Sequence, residues 1–110
     1  MGVFTMTEVN KDNFEAEVVQ SDIPAVVDLW GPKCGPCLAL MPQVEELGAT
    51  YEGRVKFCKL NVAENRRLCA TLRVMGVPTF LFYKNGEQTA RITGDEVTID
   101  AIREHAEKLL

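Results

Sequence analysis

The sequence is sparing where many functional classes are generous. Four cysteines in 110 residues are too few for a disulfide-stapled scaffold. Only Cys34 and Cys37 are closely spaced; Cys58 and Cys69 form no second Cys-x-x-Cys, so the ligand count of a zinc site is not met. No apolar run approaches the ~20 residues of a membrane span. The net charge of −4 argues against nucleic acid as a default partner. Met1 to Met6 has neither a basic segment nor an apolar core, so no signal peptide is expected. Met6 also stands where a myristoylation pattern needs Ser or Thr. Repeats, linkers and low-complexity stretches are absent. These absences predict one soluble, cytoplasmic domain over residues 1–110, a monomer by default, with a core large enough to need no staples.

What is present centres on Trp30-Gly31-Pro32-Lys33-Cys34-Gly35-Pro36-Cys37. The segment follows the apolar run Ala25-Val26-Val27-Asp28-Leu29 and precedes a stretch with helical periodicity, so the cysteines fall where a buried strand turns into a helix. Residues three apart on a helix face lie ~5–6 Å apart at Cβ, close to what a disulfide requires. Reversible two-electron thiol chemistry is the natural reading. A helix N-terminus offers free N–H groups and the positive end of the helix dipole, which favours a thiolate by ~0.3–1 kcal/mol when exposed and up to ~2 when partly buried. Lys33 adds a neighbouring cation worth ~1 kcal/mol in water. Cys34 is therefore expected to be the exposed nucleophile and Cys37, one turn on, the shielded resolving thiol. Pro36 suits a first helical turn, where its missing N–H costs nothing.

Along the chain, a strand is predicted over Thr5 to Val9 and a helix from the cap Asn10 to Gln20. A strand from Ala25 to Trp30 and a helix from Cys34 to Tyr51, interrupted by Pro42, come next. Then follow a strand from Val55 to Val62, a helix from Ala63 to Leu72, a strand from Thr79 to Tyr83, and a strand from Gln88 to Thr93. Asn85-Gly86 between the last two runs is a hairpin signal. A helix from Thr98 to Leu110 closes the chain. The order predicts an α/β fold, a central mixed five-stranded sheet flanked by four helices.

Asp28 interrupts an apolar strand six residues before Cys34. Burial raises the pKa of such a carboxyl, which suits a proton acceptor near neutral pH. Trp30 is expected to pack beside the cysteine loop. Cys58 is read as inert core, Cys69 as partly exposed, and His105 as a surface residue.

Several segments match in order and at suitable separations. They are Val26-Val27-Asp28-Leu29-Trp30, Cys34-Gly35-Pro36-Cys37, Pro42, Lys59-Leu60-Asn61-Val62, Gly76-Val77-Pro78-Thr79, Lys84-Asn85-Gly86 and Gly94. Together they resemble the thioredoxin family across nearly the whole chain. The resemblance implies the thioredoxin fold and reduction of protein disulfides. Cys34 would form a mixed disulfide with the substrate, and Cys37 would resolve it. Lys59 would pair with Asp28, and Asp28 would deprotonate Cys37. Pro78 would be a cis-proline facing the cysteines, with the Val77 backbone pairing with the substrate chain. Trp30, Gly35, Pro36, Gly76 and Gly94 would complete the substrate face, the two loop glycines allowing close backbone approach. No bound cofactor is implied. Electrons would come from NADPH or ferredoxin through a thioredoxin reductase, and the partners would be that reductase and disulfide-containing proteins.

Gly31-Pro32-Lys33 departs from the family's usual small, polar and aromatic residues. Lys33 in place of the aromatic predicts a shift towards acidic partners. The competing readings are an oxidase or isomerase of exported proteins, and a scaffold whose redox chemistry is incidental. Gly35-Pro36 and the N-terminus favour the reductase.

Overall fold

A computed structural model describes residues 4–110; Met1, Gly2 and Val3, part of the stretch read as free of a leader, lie outside the described residues. Strand β2 (Ala25–Trp30) is the middle of a five-stranded sheet whose other members follow from its two-sided apolarity. On one side it pairs in parallel with β3 (Lys56–Asn61), which in turn carries the short edge strand β1 (Thr7–Glu8). On the other it pairs antiparallel with β4 (Thr79–Lys84), and β4 with β5 (Glu87–Thr93). The β4–β5 hairpin closes through Asn85 (φ 53°) and Gly86 (φ 81°), the left-handed pair that a two-residue turn demands. The expected mixed sheet is present.

Helices α1 (Gly35–Thr50) and α3 (Ile99–Glu107) cover one face, where Val26, Phe57, Phe80 and Phe82 meet Val44, Leu47, Ile102 and Ala106. The opposite face, with Val27, Leu29, Cys58, Leu60 and Leu81, is covered by Val18 of a short helix (Glu15–Val19), by Phe14 that caps it, and by Cys69 of α2 (Arg66–Thr71). Alternation along β2 puts Asp28 in the phase of Val26, on the face that α1 covers. Both cores hold fully buried large side chains, so the sheet is sealed on both sides.

The structure shortens several predicted elements, each for a local reason. The first helix keeps Asn10 as its lead-in, with the Asn10 side chain accepting from Asp12 N at 2.8 Å. Its regular part is only Glu15–Val19, closed by a wide bond from Gln20 N to Glu15 O. The first strand shrinks to Thr7 and Glu8, which pair with Cys58 and Lys59 of β3. The helix expected from Ala63 to Leu72 is split by Asn65, a buried polar residue whose amide donates to Asn61 O (3.0 Å) and accepts from Lys11 N (3.0 Å). Those bonds hold Asn65 at φ −138°, outside helical space, leaving a single turn at Val62–Glu64 before α2. The last helix ends at Glu107 rather than Leu110; its final turn tightens, Leu109 N bonding Ala106 O. His105 is half-buried rather than a surface residue, its ring 5.0 Å from that of Phe82.

Candidate functional site

The strand-to-helix corner is built as its residues dictate. Cys34 is the N-cap of α1, extended at φ −90°, ψ 100°, and Gly35 and Pro36 open the first turn, where a proline gives up no intrahelical bond. The backbone N–H of Cys37 donates to Cys34 Sγ at 3.2 Å, the contact a capping side chain makes at a helix start. Cys34 and Cys37 are joined by a disulfide with their Cα atoms 5.3 Å apart. Cys34 is half-buried and Cys37 only 3% exposed, so the two sulfurs differ in access as predicted. On opening of the disulfide, the N–H that reaches Cys34 Sγ and the dipole of a 16-residue helix both favour the anion there. Lys33 stands exposed beside it.

Beneath the corner, Asp28 is 3% exposed, and burial pushes its carboxyl up from 3.8 to about 7, Lys59 pulling the other way. Asp28 and Lys59 face each other in register across β2 and β3. They do not form the direct ion pair that the resemblance implied: among the described residues no cation stands within 4.0 Å of the Asp28 carboxylate. Facing positions fix the two Cα atoms, but the long lysine side chain is half-exposed, and solvation of its ammonium competes with a carboxyl held inside. Trp30 closes the same strand, half-buried, its Nε1 enclosed without a hydrogen-bond partner among the described residues.

The Val77–Pro78 peptide bond is cis. Val77 lies against the cysteine corner, since a Cβ built on Gly31 would sit 3.8 Å from Val77 and 3.9 Å from Cys34. Three anchors hold this loop. Thr79 Oγ1 donates to Gly76 O at 2.7 Å, Gly94 N donates to Pro78 O at 3.0 Å, and Arg91 on β5 donates to Leu72 O and Arg73 O at 2.6 and 2.7 Å. Gly94 needs its glycine for a φ of +61°; close approach demands neither Gly94 nor Gly76, because a Cβ on either would meet nothing within 4 Å. Gly35 and Pro36 are exposed on the groove that Cys34 lines, and Gly76 is exposed on the adjoining groove with Val77.

The two remaining thiols stay outside this constellation. Cys58 is fully buried in β3, and burial pushes its thiol up to about 12. Cys69 was expected to be partly exposed and is instead 7% exposed, packed into the second core with its thiol also raised by burial. Sequence reasoning missed Arg66 and Met75, which border the grooves beside Cys34. The one available signal was a large apolar residue, Met75, immediately before Gly76-Val77-Pro78.

Comparison with known proteins agrees with this geometry. A sequence model of the family described as Thioredoxin matches residues 5–108. The chain is 42% identical over 97 residues to a thioredoxin of Peptoclostridium acidaminophilum, covering 88% of each protein. It is 42% identical over 86 residues to a thioredoxin of Haemophilus influenzae, covering 78% of this chain and 80% of that one. It is 36% identical over 87 residues to thioredoxin 1 of a Nostoc species, covering 79% and 81%. The matched range spans both the disulfide at the helix start and the cis-proline loop; the chain belongs to the thioredoxin family, and its chemistry is that of a thiol–disulfide oxidoreductase.

Proposed function

We propose that the protein is a protein-disulfide reductase acting as a single cytoplasmic domain, with Cys34 as nucleophile and Cys37 as resolving thiol. The observation that carries this reading is the Cys34 sulfur at the start of α1, accepting the Cys37 N–H, in a residue more exposed than its partner and on a groove shared with Val77, the residue before the cis-proline. In the reduced protein, the Cys34 thiolate attacks one sulfur of a substrate disulfide. That disulfide breaks, one substrate thiolate leaves, and Cys34 holds the other half as a mixed disulfide. Asp28 takes the Cys37 proton; a carboxyl at about 7 is matched to accept it near neutral pH. The Cys37 thiolate then attacks Cys34 Sγ, forming the internal disulfide and expelling the second substrate thiolate. Two electrons have passed from the protein's dithiol to the substrate, and a reductase drawing on NADPH or ferredoxin returns them.

Lys59 tunes the charge around Asp28 through the field between facing positions rather than by contact. The Val77 backbone pairs with the substrate chain, and extended pairing of this kind gives affinity without demanding one side chain. Trp30, Gly35, Pro36, Gly76 and Gly94 shape the surface around it, and Lys33 biases which chains settle there. The fold holds this apparatus without a prosthetic group, as its family membership implies.

The test is Cys37→Ser. With the resolving thiol gone, mixed disulfides on Cys34 are expected to accumulate and to be released by added dithiol. A variant that turns over disulfide substrates at the parental rate, with no trapped adduct, would refute the assignment. Stopped-flow analysis of Asp28→Asn separates the steps: slow release of the adduct with unchanged initial attack is expected, and equal loss in both would remove Asp28 as proton acceptor.

A further inference from the structure

Resting on the reading of Cys34 as the attacking thiol, we propose that the substrate class is set by charge: the groove beside Cys34 receives disulfide-bearing segments with an acidic residue on the α2 side of the disulfide.

Two grooves meet there. One, of about 670 Å³, runs from Lys33 and Cys34 past Val62 to Arg66. The other, of about 460 Å³, continues from Arg66 and Val62 between α2 and the loop Val74 to Val77. The charged residues on their walls are Lys33 and Arg66, both exposed; no carboxylate lines either groove, in a chain whose net charge is −4. Neither cation makes an ion pair within 4.0 Å among the described residues. Carboxylates line the adjoining grooves. Glu64 shares one with Lys11, Arg67 and Arg66 itself, so Arg66 stands between that carboxylate and the cysteine groove within a cluster of three cations, and Asp95 lines another with Pro36, Pro78 and Gly94. A strand lying over Cys34 and Val77 thus meets cations at its α2 end and a carboxylate at its Gly94 end. That polarity fixes which flank of the disulfide carries the acid. The rest of the α2-side lining is apolar, and Met75, 97% exposed at its rim, gives the neighbouring residue of such a segment a surface to lie on. Complementary charge at a rim acts on the rate of productive encounter and on partner choice.

The experiment compares reduction of three disulfide peptides that differ at one position on the α2-side flank, carrying Glu, Gln or Lys. Second-order rate constants are measured at low and high salt. The wild-type protein is expected to favour Glu over Gln by about three- to tenfold at low ionic strength, the size that two exposed charge pairs supply. The ratio should fall towards one at 1 M salt, where the Debye length is ~3 Å. In Lys33→Gln/Arg66→Gln the Glu-to-Gln ratio should collapse to about one even at low salt. Met75→Gln changes the rim without changing charge and should keep the wild-type ratio; collapse there as well would overturn the electrostatic account. Equal rates on the three peptides in the wild type, or a preference that survives the double substitution, would also overturn it. Failure to reduce any of the peptides would overturn the Cys34 reading and this proposal together, so the two failures are told apart.

Discussion

Both faces of the sheet bury side chains that can ionise, and they treat them differently. Under α1 and α3, Asp28 and Lys59 lie in register beneath the helix that delivers Cys37, and no direct ion pair quenches the carboxyl. Its pKa of about 7 leaves it able to gain or lose a proton near neutrality. On the opposite face, Cys58 and Cys69 are packed among Val27, Leu29, Leu60 and Leu81. Lys56 Nζ meets Glu17 Oε1 at 3.1 Å, and the two charges act on Cys58 in opposite directions; burial is the largest influence and keeps its thiol protonated. On this contrast a cysteine in this chain is expected to react where a helix begins at it and solvent reaches it, and to stay inert where neither holds.

The same substitution on the two faces should give opposite readouts. Cys34→Ser is expected to cut disulfide reduction by at least ~10³-fold, because a hydroxyl replaces the nucleophile itself. The stability of the reduced protein should hardly change. Turbidimetric reduction of a disulfide-linked protein checks the first half, and urea unfolding under reducing conditions the second.

Asp28→Asn should produce the next largest effect, and its sign depends on pH. The folded-state pKa is raised by burial from 3.8 to about 7, so between those values the folded protein holds a proton that the unfolded chain has lost. Stability therefore falls as pH rises through that window, and above about 7 the folded state bears the whole cost of the buried anion. The asparagine variant carries no such cost. It should be the more stable form at pH 8 by roughly 2–4 kcal/mol, converging on the parent near pH 4. Denaturant midpoints of the oxidised protein across that range measure it, and a difference independent of pH would remove the buried-carboxylate account. Cys58→Ser comes third. It buries a hydroxyl among apolar neighbours and should cost about 1–3 kcal/mol, while disulfide reduction stays within twofold of the parent.

Much of the site face was legible because its signals are local. Cys-x-x-Cys after an apolar run specifies a helix start at a strand end, and Asn85-Gly86 specifies a hairpin; neither depends on distant parts of the chain. Asp28 was legible for the same reason, as one carboxyl in an otherwise apolar strand. The facing of Asp28 and Lys59 followed from alternation, but the missing contact did not, since register fixes backbones and leaves a lysine stem free to reach water. Asn65 stayed hidden because its bonds reach Lys11, 54 positions away. Arg66 and Met75 were illegible as groove residues because only the packing of α2 against the Val74–Val77 loop brings them beside Cys34.

That packing makes the inert face more than a support, and the smallest predicted effect tests the link. Arg91 lies opposite Leu81 on β5 and spans from the sheet to Leu72 O and Arg73 O, the carbonyls that end α2. Arg73 there holds φ 58°, a left-handed turn a non-glycine residue keeps only when its surroundings insist. Arg91→Leu retains an apolar stem and removes both bonds, at a cost of about 1–2 kcal/mol for charge-assisted contacts partly open to water. The loop from Val74 to Val77 should then exchange its amide hydrogens faster. Substrate reduction should lose about two- to fivefold in kcat/KM, carried by KM because docking is loosened while the cysteine corner is untouched. A loss confined to kcat would mean that Arg91 acts on the chemistry instead. Unchanged exchange in the loop would show that Thr79 and Gly94 hold it unaided, and the two faces would then be independent.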